Sequence, residues 1–428
     1  MKKMILKILE WKLTFLAKRV LAKYQPKIVA VAGSVGKTST VKAIALALAK
    51  DFKVGQTLRS YNHELGLPLS ILRLETGYRS LWRWIKIFYL GSKLAFGRKS
   101  EHYPNLLVLE IGAEKVGDLD KFLKWVHPEI GVLTAVTTEH VEFFGTVNAA
   151  INEEFKIIKN LPKTATAVIN DDDSNIVGMA KDIKNPIIRF SQTHQVEVTV
   201  TNAAILGESI TDVQGVSAKI SVAGSSIPVV IKDTLGSHSL YAVAAAFAAA
   251  QALKVNLSNV SEQMRNYQPP AGRMHLIKGI KNTLIIDDTY NSSPAAAKAA
   301  IETLQELKTS SKKYAILGDM LELGSVSEEE HKKLGEFVAG KTDYLITVGE
   351  QAKHIAQAAE KAEMNEDKIL SFDKPEGVGN FLQDRLHPGD LILIKASQGT
   401  RCEKIVKEIM AEPEKAKELL TRQYWPWI

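Results

Sequence analysis

The segment from Ile28 to Thr40, IVAVAGSVGKTST, constrains the fold of this chain more than any other stretch. An apolar run leads into a loop bounded by two glycines, and the alanine-rich segment Val41 to Ala49 follows. This order predicts a buried strand, a phosphate-binding loop and a helix, because glycines let backbone N–H groups close around phosphate oxygens. Lys37 is expected to reach the terminal phosphates of a nucleoside triphosphate, and Thr38 to hold Mg²⁺. The predicted nucleotide-binding residues of the loop are Gly33, Ser34, Val35, Gly36, Lys37, Thr38 and Ser39.

A series of further motifs follows this loop along the chain. They are Asn62 to Leu69 (NHELGLPL), Val108 to Ala113 (VLEIGA), His140 to Gly145 (HVEFFG), Ile169 to Asp173 (INDDD), Gly236 to His238, Gly272 to Met274 (GRM), Asp287 to Pro294 (DDTYNSSP), Leu317 to Gly324 (LGDMLELG) and Lys395 to Glu403 (KASQGTRCE). With the short loop form G-x-x-G-K-T-S, this series resembles the Mur ligases, the ATP-dependent amide ligases that build peptidoglycan stems. The chain looks most like the branch that adds D-alanyl-D-alanine to a UDP-muramoyl tripeptide.

The alternation of apolar runs with helical stretches predicts an α/β fold built on parallel sheets. The strand-like runs are Ile28 to Ala32, Leu106 to Glu110, Ile130 to Thr134, Ala167 to Asn170, Thr283 to Asp287, Tyr314 to Leu317, Tyr344 to Val348 and Asp390 to Lys395. Residues Val196 to Lys232 predict a small antiparallel β insert, followed by a helix at Leu240 to Leu253. We expect three parts: a basic N-terminal helix in residues 1–26, an ATP-binding P-loop central domain in residues 27–268, and a Rossmann-like C-terminal ligase domain in residues 269–428.

Length and composition agree with a multidomain enzyme. The chain has 428 residues and 45% hydrophobic content, enough for two or three cores, since domains usually hold ~100–200 residues. The lone Cys402 excludes an internal disulfide framework and suits a reducing cytosol, and we expect a structural residue there and not a nucleophile. The net charge of +7 fits nucleic acid, an anionic membrane surface or phosphorylated substrates, so charge alone does not choose among them.

Part of the positive charge lies in two segments that also carry aromatic side chains, Met1 to Tyr24 and Tyr78 to Arg98. In Met1 to Tyr24, Lys or Arg breaks the apolar run too often for a signal-peptide core or a membrane span. Two interpretations remain open. The segments rest on an anionic membrane or a lipid-linked substrate, with Trp11, Trp82 and Trp84 at the interface, or their helices pack on each other or on the body of the protein.

The resemblance also implies that a separate UDP-binding domain is missing. Mur ligases acting on UDP-linked substrates usually carry an N-terminal domain on the order of a hundred residues for this purpose. Only about 26 residues precede the P-loop strand here. We therefore expect the UDP group to be held differently, or the acceptor to be presented by another carrier or partner.

The reaction implied by the resemblance is activation of a carboxylate by ATP. The carboxylate attacks the γ-phosphate to give an acyl phosphate and ADP, and an amine then displaces phosphate through a tetrahedral intermediate. Negative charge accumulates at each step, so fixed cations and Mg²⁺ are the expected catalysts. The matching residues here are Lys37 for the γ-phosphate, Thr38 and Glu110 for the metal beside the P-loop, and His140 for a second metal.

The stretch Asn152 to Pro162 departs from the family pattern. Family members usually have a lysine eight residues before the proline, carbamylated by CO₂ to give an acidic group, and Glu154 stands there in this chain. A carbamylated lysine is in effect an extended carboxylate, so we expect Glu154 to replace it as a catalytic and metal-supporting group without bicarbonate. The alternative is that Glu154 is a solvated residue of the helix. Lys156, two residues on, would point elsewhere on a helix.

The C-terminal domain is expected to complete the nucleotide site and to hold the amine. By resemblance, the remaining nucleotide-binding residues are Asn62, Asn170, His238, Arg273 and Asp288, and the residues facing the amine substrate are Asn291, Lys395, Ser397 and Arg401. Three residues differ from the branch pattern: Ser239 and Ser293 stand where asparagine is usual, and Ala396 where glycine is usual. These differences leave the identity of the amine open.

The sequence thus predicts an ATP- and Mg²⁺-dependent peptide ligase of the Mur family that adds D-alanyl-D-alanine to a muramoyl tripeptide. We expect a cytoplasmic monomer that takes a muramoyl-peptide acceptor and an amino-acid or dipeptide amine, binds no nucleic acid and contacts the inner face of the membrane peripherally. The alternatives are a Mur-type ligase for another amine or acceptor, a P-loop kinase or regulatory NTPase, and a noncatalytic ATP-binding protein of wall assembly. A kinase has no need of the DDTYNSSP and KASQGTR motifs, and a noncatalytic protein would show no amine-dependent phosphate release.

Overall fold

The computed structural model describes residues 2–58, 64–78, 80–113, 115–136, 144, 146–236 and 238–423. Its strands are β1 (Lys27–Ala32), β2 (Val54–Gln56), β3 (Leu106–Glu110), β4 (Ile130–Leu133), β5 (Thr166–Asn170), β6 (Ile187–Ser191), β7 (Val198–Leu206), β8 (Gly215–Val222), β9 (Ser225–Lys232), β10 (His275–Lys278), β11 (Leu284–Asp288), β12 (Lys313–Gly318), β13 (Tyr344–Val348), β14 (Ile369–Phe372) and β15 (Leu391–Lys395). They form two sheets.

Helices cover both sheets. They are α1 (Lys2–Tyr24), α2 (Lys37–Ala47), α3 (Gly66–Leu72), α4 (Leu81–Phe96), α5 (Asp118–Leu123), α6 (Val147–Lys159), α7 (Ser174–Ala180), α8 (Ser239–Ala252), α9 (Leu257–Met264), α10 (Pro294–Glu306), α11 (Ser327–Val338), α12 (Lys353–Lys361), α13 (Val378–Arg385), α14 (Glu403–Ile409) and α15 (Ala416–Leu419). Single turns of 3-10 helix lie at Ile280–Asn282, Gly324–Val326, Glu366–Lys368, Gln398–Thr400 and Pro413–Lys415.

The first sheet has the strand order β2-β3-β1-β4-β5-β6-β7-β8-β9. Strand β1 lies between β3 and β4 and pairs in parallel with both. β3 and β4 are buried along their whole length, as expected for strands with helices on both faces. Because the carboxyl ends of parallel strands meet at one edge, Glu110 and the chain after Ala32 and Leu133 come together there.

The predicted antiparallel insert is present as β7, β8 and β9, which pair antiparallel in succession. It is not a separate unit, since β7 also pairs in parallel with β6 through Phe190 and Ser191 and so continues the main sheet. The sequence prediction missed the short strands β2, β6, β10 and β14. The alanine-rich helix α8 is buried on almost all sides and packs on α2.

The second sheet has the order β10-β11-β15-β12-β13-β14, with β10 antiparallel to β11 and the other neighbours parallel. Strands β11 and β15 are adjacent, and their register sets Asp288 beside Lys395 at the carboxyl edge. This sheet is the predicted C-terminal parallel sheet.

The two sheets are joined by main-chain hydrogen bonds and apolar packing. Leu235 N donates to Met274 O over 2.9 Å, and Leu276 N donates to Asp233 O over 3.0 Å. Three apolar side chains from β7 and the loop before β8 pack on the core of the second sheet: Ile205, Ile210 and Val213. The second sheet is therefore held against the antiparallel side of the first.

Helices α1 and α4 pack on each other and on the body of the protein. The buried side of α1 consists of Leu13, Leu16, Ala17 and Val20, which belong to the core beneath the first sheet. Lys23 Nζ donates to Leu94 O (2.7 Å) and Gly97 O (2.8 Å) at the C-terminal end of α4, where a cation is favoured. Trp84 belongs to the packed side of α4, since it packs against the same core and its Nε1 donates to Tyr78 O over 3.1 Å. Within the described ranges, no helix is both long and apolar enough to cross a membrane.

Candidate active site

The loop between β1 and α2 has a conformation that depends on glycine. Gly33 and Gly36 have φ values of +129° and +85°, a region that other L-residues rarely adopt. A Cβ atom on Gly33 would also collide with the Oγ1 atom of Thr134. The Thr134 hydroxyl donates to Val35 O over 2.6 Å, so the end of β4 fixes the shape of the loop.

Lys37 begins α2 and folds back over this loop. Its Nζ atom donates to the carbonyl oxygens of Gly33 and Ser34, the latter over 3.1 Å. No side chain caps the N-terminus of α2. The backbone N–H groups of this first turn and the lysine amine are thus arranged as in an anion-binding helix N-terminus.

A buried carboxylate lies beside the P-loop threonine. Glu110 ends β3 and is 2% exposed, and its Oε2 accepts a hydrogen bond of 2.9 Å from Thr38 Oγ1. Its backbone N donates to Thr57 Oγ1 over 2.7 Å, which fixes the end of the strand. Glu110 is therefore a buried group of the loop region and not a solvated carboxylate.

Helix α6 carries two adjacent buried glutamates with different partners. Glu154 Oε2 accepts a hydrogen bond of 2.9 Å from Gly33 N, so this carboxylate lies against the phosphate loop. Glu153 accepts hydrogen bonds from two backbone N–H groups at the start of α5 and pairs with Lys156 Nζ at 2.7 Å. The interpretation of Glu154 as a solvated helix residue is wrong, and Lys156 does point elsewhere.

The described oxygen donors fit a Mg²⁺ ion held together with nucleotide phosphates. Such ions prefer one or two carboxylates plus phosphate oxygens, and Thr38, Glu110 and Glu154 surround the loop with one hydroxyl and two carboxylates. No group of three or more His, Cys, Asp or Glu able to hold a metal occurs in the part of the chain that the structure describes. The predicted residues Asn62 and His140 lie outside the described residues.

Two predicted nucleotide-side residues lie farther along the first sheet. Asn170 ends β5 and its Oδ1 accepts from Asp172 N over 3.1 Å, which shapes the following turn. His238 lies at the N-terminus of α8 with an exposed side chain. The side chain lies within electrostatic range of Asp288, Lys395 and Arg273.

Asp288 and Lys395 form a buried ion pair at that edge. Lys395 Nζ lies 2.6 Å from Asp288 Oδ2 and donates to Asn291 O over 2.9 Å. The other carboxylate oxygen, Oδ1, accepts from Met274 N over 3.2 Å. The sequence predicted Asp288 as a nucleotide-binding residue and Lys395 as a residue that faces the amine substrate. The structure brings both into one ion pair.

Arg273 lies against the ring of Tyr290, in the loop after β11. Its guanidinium stacks over the Tyr290 ring at 4.3 Å, and its buried Nε has no hydrogen-bond partner. The Tyr267 hydroxyl donates to Ser39 O over 3.1 Å, and burial raises the pKa of Tyr267 while the charge of Arg273 opposes that shift. Arg273 is therefore within electrostatic range of Tyr267, which contacts the first turn of α2.

The other predicted amine-side residues are near the end of β15. Ser397 Oγ accepts from Leu321 N over 2.9 Å and donates to Ser292 O over 3.3 Å, so it ties two loops together. Arg401 Nε pairs with Glu403 at 2.5 Å. The side chain of Asn291 is exposed. The three residues that differ from the branch pattern are all buried: Ser239, Ser293 and Ala396.

Asp319 is a residue of this edge to which the sequence analysis gave no role, although it lies in the quoted motif LGDMLELG. Burial raises the pKa of its carboxyl. Its Oδ1 accepts from Ala352 N over 2.8 Å, and its backbone oxygen accepts from Ser397 N over 3.0 Å. Its position directly after the apolar strand β12 is the sequence signal that could have identified Asp319. Cys402 is fully buried, as expected of a structural residue.

Two family models match the chain. The Mur ligase middle domain matches residues 89–250, and the glutamate ligase domain of Mur ligases matches residues 272–398. The chain belongs to the Mur ligase family. The predicted family and α/β fold are confirmed.

Curated Mur ligases and solved structures resemble most of the chain. The UDP-N-acetylmuramoyl-tripeptide–D-alanyl-D-alanine ligase of Bacillus subtilis is 26% identical over 402 residues, covering 93% of this chain and 79% of that protein. The Escherichia coli enzyme of the same name is 24% identical over 386 residues, covering 90% and 76%. The MurF ligase of Thermotoga maritima, solved in complex with ADP, has a TM-score of 0.77 and 27% identity, covering 95% of this chain and 84% of that one. The predicted class of Mur ligases, ATP-dependent peptide ligases, is thereby confirmed.

Proposed function

We propose that this Mur ligase joins D-alanyl-D-alanine to a muramoyl tripeptide at the expense of ATP, in the synthesis of peptidoglycan precursors. The observation that carries the proposal is the P-loop flanked by two buried carboxylates, Glu110 and Glu154, within the same molecule as the Asp288–Lys395 edge. The names of the Bacillus subtilis and Escherichia coli relatives support this choice of amine and acceptor.

In the first step, an oxygen of the acceptor carboxylate attacks the γ-phosphorus. The bond from phosphorus to the β–γ bridging oxygen breaks, ADP leaves, and an acyl phosphate forms. Lys37 would exchange its loop carbonyls for phosphate oxygens, because a fixed cation there counters the charge that develops in the transition state. The uncapped N-terminus of α2 supports the same role.

In the second step, the amine nitrogen attacks the carbonyl carbon of the acyl phosphate. The tetrahedral intermediate loses phosphate and a proton from nitrogen, and the amide bond remains. We place the amine near Asn291, Ser397 and Arg401, with Lys395 held by Asp288 so that its charge faces the developing oxyanion from a fixed position. The nucleotide would extend from the P-loop to Arg273 and Asp288, past Asn170 and His238.

We propose that Thr38, Glu110 and Glu154 support Mg²⁺ at this site, with His140 as a further ligand. When bound, Mg²⁺ neutralises charge on the phosphate oxygens. The burial of both carboxylates and their 2.9 Å contacts with the loop support these roles. Glu154 would then supply the negative charge that other family members obtain from carbamylated lysine.

For its cellular setting, we propose a cytoplasmic monomer that works at the inner face of the membrane. ATP and a reducing environment are both found there, and Cys402, the single cysteine of the chain, is a buried free thiol. This setting is compatible with a soluble and with a lipid-linked acceptor, and the chemistry at the P-loop is the same for both.

The test is phosphate release and product mass with UDP-muramoyl tripeptide and a panel of amines. We expect phosphate release that requires D-alanyl-D-alanine, and a product heavier by that dipeptide less water. Release with another amine only would identify the second candidate, a ligase of different specificity, which the three buried departures at Ser239, Ser293 and Ala396 favour. ATP binding without amine-dependent release for any amine would contradict ligation.

A further inference from the structure

Helix α1 has a second apolar side, opposite to the one that packs on the core. Four apolar residues recur there at the spacing i, i+4, i+7 and i+11: Met4, Ile8, Trp11 and Phe15. All four are exposed, and the exposed fraction of Trp11 is 67%. At 100° per residue, they lie about half a turn away from the buried residues Leu13, Leu16, Ala17 and Val20. The core does not use this side of the helix.

Helix α4 continues the same surface. Its first residue, Leu81, is exposed, and four further exposed apolar residues share one side of the helix: Trp82 (80% exposed), Ile85, Tyr89 (66% exposed) and Phe96. The rings of Phe15 and Phe96 lie 6.3 Å apart, which joins the two rows. We call these eight residues the aromatic face. Trp84 is not part of it, because its indole is packed and hydrogen-bonded to Tyr78.

Exposed cations flank the aromatic face. On α1, Lys7 and Lys18 lie along one side of the apolar row and Lys12 and Arg19 along the other, and Lys86 and Lys93 flank the row on α4. Helix α4 contains no acidic residue. An apolar strip between two basic margins is complementary to a surface that is apolar inside and anionic at its border.

We propose that the aromatic face binds an anionic lipid surface, with α1 and α4 lying along the bilayer and their tryptophan and tyrosine rings at the headgroup level. Contiguous exposed apolar patches are uncommon on soluble monomers and mark interaction sites, and Trp and Tyr are the residues enriched at the lipid–water interface. This inference stands on the surface alone and does not depend on the proposed ligase chemistry.

Lipid fits this face better than a second copy of the chain does. In a twofold dimer the same patch meets itself, so its basic margins would approach each other. Like charges facing one another oppose association. An anionic lipid surface instead places negative charge opposite every flanking Lys and Arg.

The test is flotation of the full chain with phosphatidylcholine vesicles, with and without equimolar phosphatidylglycerol. We expect binding to the anionic vesicles only, and weaker binding as salt increases. The double variant Trp11→Ser/Trp82→Ser and the charge reversal Lys7→Glu/Lys86→Glu should each reduce binding at least about tenfold. Point substitutions are preferable to deletion of residues 1–23, because Leu13 and Val20 belong to the core.

Matched controls separate this face from general effects of charge and hydrophobicity. Lys361→Glu/Lys374→Glu makes the same change in net charge on the C-terminal side, and Val116→Ser/Val326→Ser removes exposed apolar side chains elsewhere. Both controls should bind vesicles like the unmodified chain, and all variants should bind ADP. Absence of flotation at low salt, equal loss in the controls, or a concentration-dependent dimer abolished by Trp11→Ser/Trp82→Ser would overturn the proposal.

Discussion

Glu153 and Glu154 are neighbours in the chain and both are buried, yet the geometry of α6 sends their carboxylates to different partners. Successive residues on a helix are about 100° apart, so Glu154 reaches the phosphate loop while Glu153 reaches the start of α5. Glu154 contacts the loop between β1 and α2, and Glu153 holds the start of α5. The pair therefore offers a test in which burial and residue type are the same.

Glu154→Gln is expected to raise the Mg²⁺ requirement of ligation, because glutamine can still accept the Gly33 N–H bond but carries no charge. Activity of the unmodified protein should not depend on bicarbonate. The measurement is the initial rate against Mg²⁺ concentration, with and without CO₂. An unchanged Mg²⁺ dependence would count against the role of Glu154.

Glu153→Gln is the matched control. It weakens a charged contact with Lys156 and the cap of α5, so it should lower the free energy of unfolding by about 1–3 kcal/mol with the Mg²⁺ dependence unchanged. Thermal unfolding and the same Mg²⁺ titration report the two properties separately.

Lys37→Ala should abolish ligation, with a loss of ~10²-fold or more, since it removes the cation from the developing phosphate charge. Its amine contacts only loop carbonyls here, so the fold should remain intact. Lys50→Ala is the control, because Lys50 forms an exposed ion pair with Glu262 and such pairs contribute little. Near-normal ligation by folded Lys37→Ala would refute the role of the P-loop.

Asp287 carries a pH-dependent part of the stability. Burial raises the pKa of Asp287 to about 7 from its usual 3.8, and one of its carboxylate oxygens lacks a hydrogen-bond partner. The folded state binds this proton more tightly than the unfolded chain, so the stability it provides is complete below about pH 4 and is lost as pH rises through about 7.

Asp287→Asn should therefore be more stable than the unmodified protein at pH 8, by at most about 4 kcal/mol for a shift of about three pKa units. The advantage should vanish near pH 4. Urea denaturation at the two pH values measures it, and an equal difference at both would contradict the assignment.

At the scale of the element, the P-loop is shaped as much by β4 as by its own residues. Gly33 combines a left-handed backbone with a close approach to Thr134, whereas Gly36 has the same type of φ but a Cβ there would meet only Thr134 Cβ, at an ordinary contact distance of 3.9 Å. Gly33→Ala should therefore destabilise the protein more than Gly36→Ala, for which backbone strain of about 1–3 kcal/mol is the main cost. Thermal unfolding of both variants checks this, and equal losses would contradict it.

The elements that the sequence predicted well are those with a strong local signal. The apolar runs of β1, β3 and β13 and the helix α8 have nearly the predicted bounds. Short strands such as β6 and β14 were missed because Arg189 and Ser371 interrupt their apolar runs, which leaves a weak local signal. The pairing of β6 with β7 joins consecutive strands, Phe190 to Val198, and it merges the insert with the main sheet, which the strand pattern alone did not indicate.

At the scale of the whole molecule, the candidate site draws on both sheets. Family motifs gave the residues, but spacing could not give their partners: the Asp288–Lys395 pair spans two strands, and the contact of Glu154 with Gly33 joins α6 to β1. The exposed apolar side of α1 could not be predicted either, because the sequence does not tell which of the two apolar sides packs on the core. Only packing separates Trp11 and Trp82 from Trp84.

An isotope experiment distinguishes ligation through an acyl phosphate from other routes to the amide. The acceptor tripeptide is prepared with oxygen-18 in the carboxylate that is to be ligated, and the phosphate released during amide formation with D-alanyl-D-alanine is analysed by mass spectrometry. Each phosphate should carry one labelled oxygen, because the attacking carboxylate oxygen stays bonded to phosphorus when the amine displaces the phosphate. Amide formation with unlabelled phosphate would contradict ligation through an acyl phosphate.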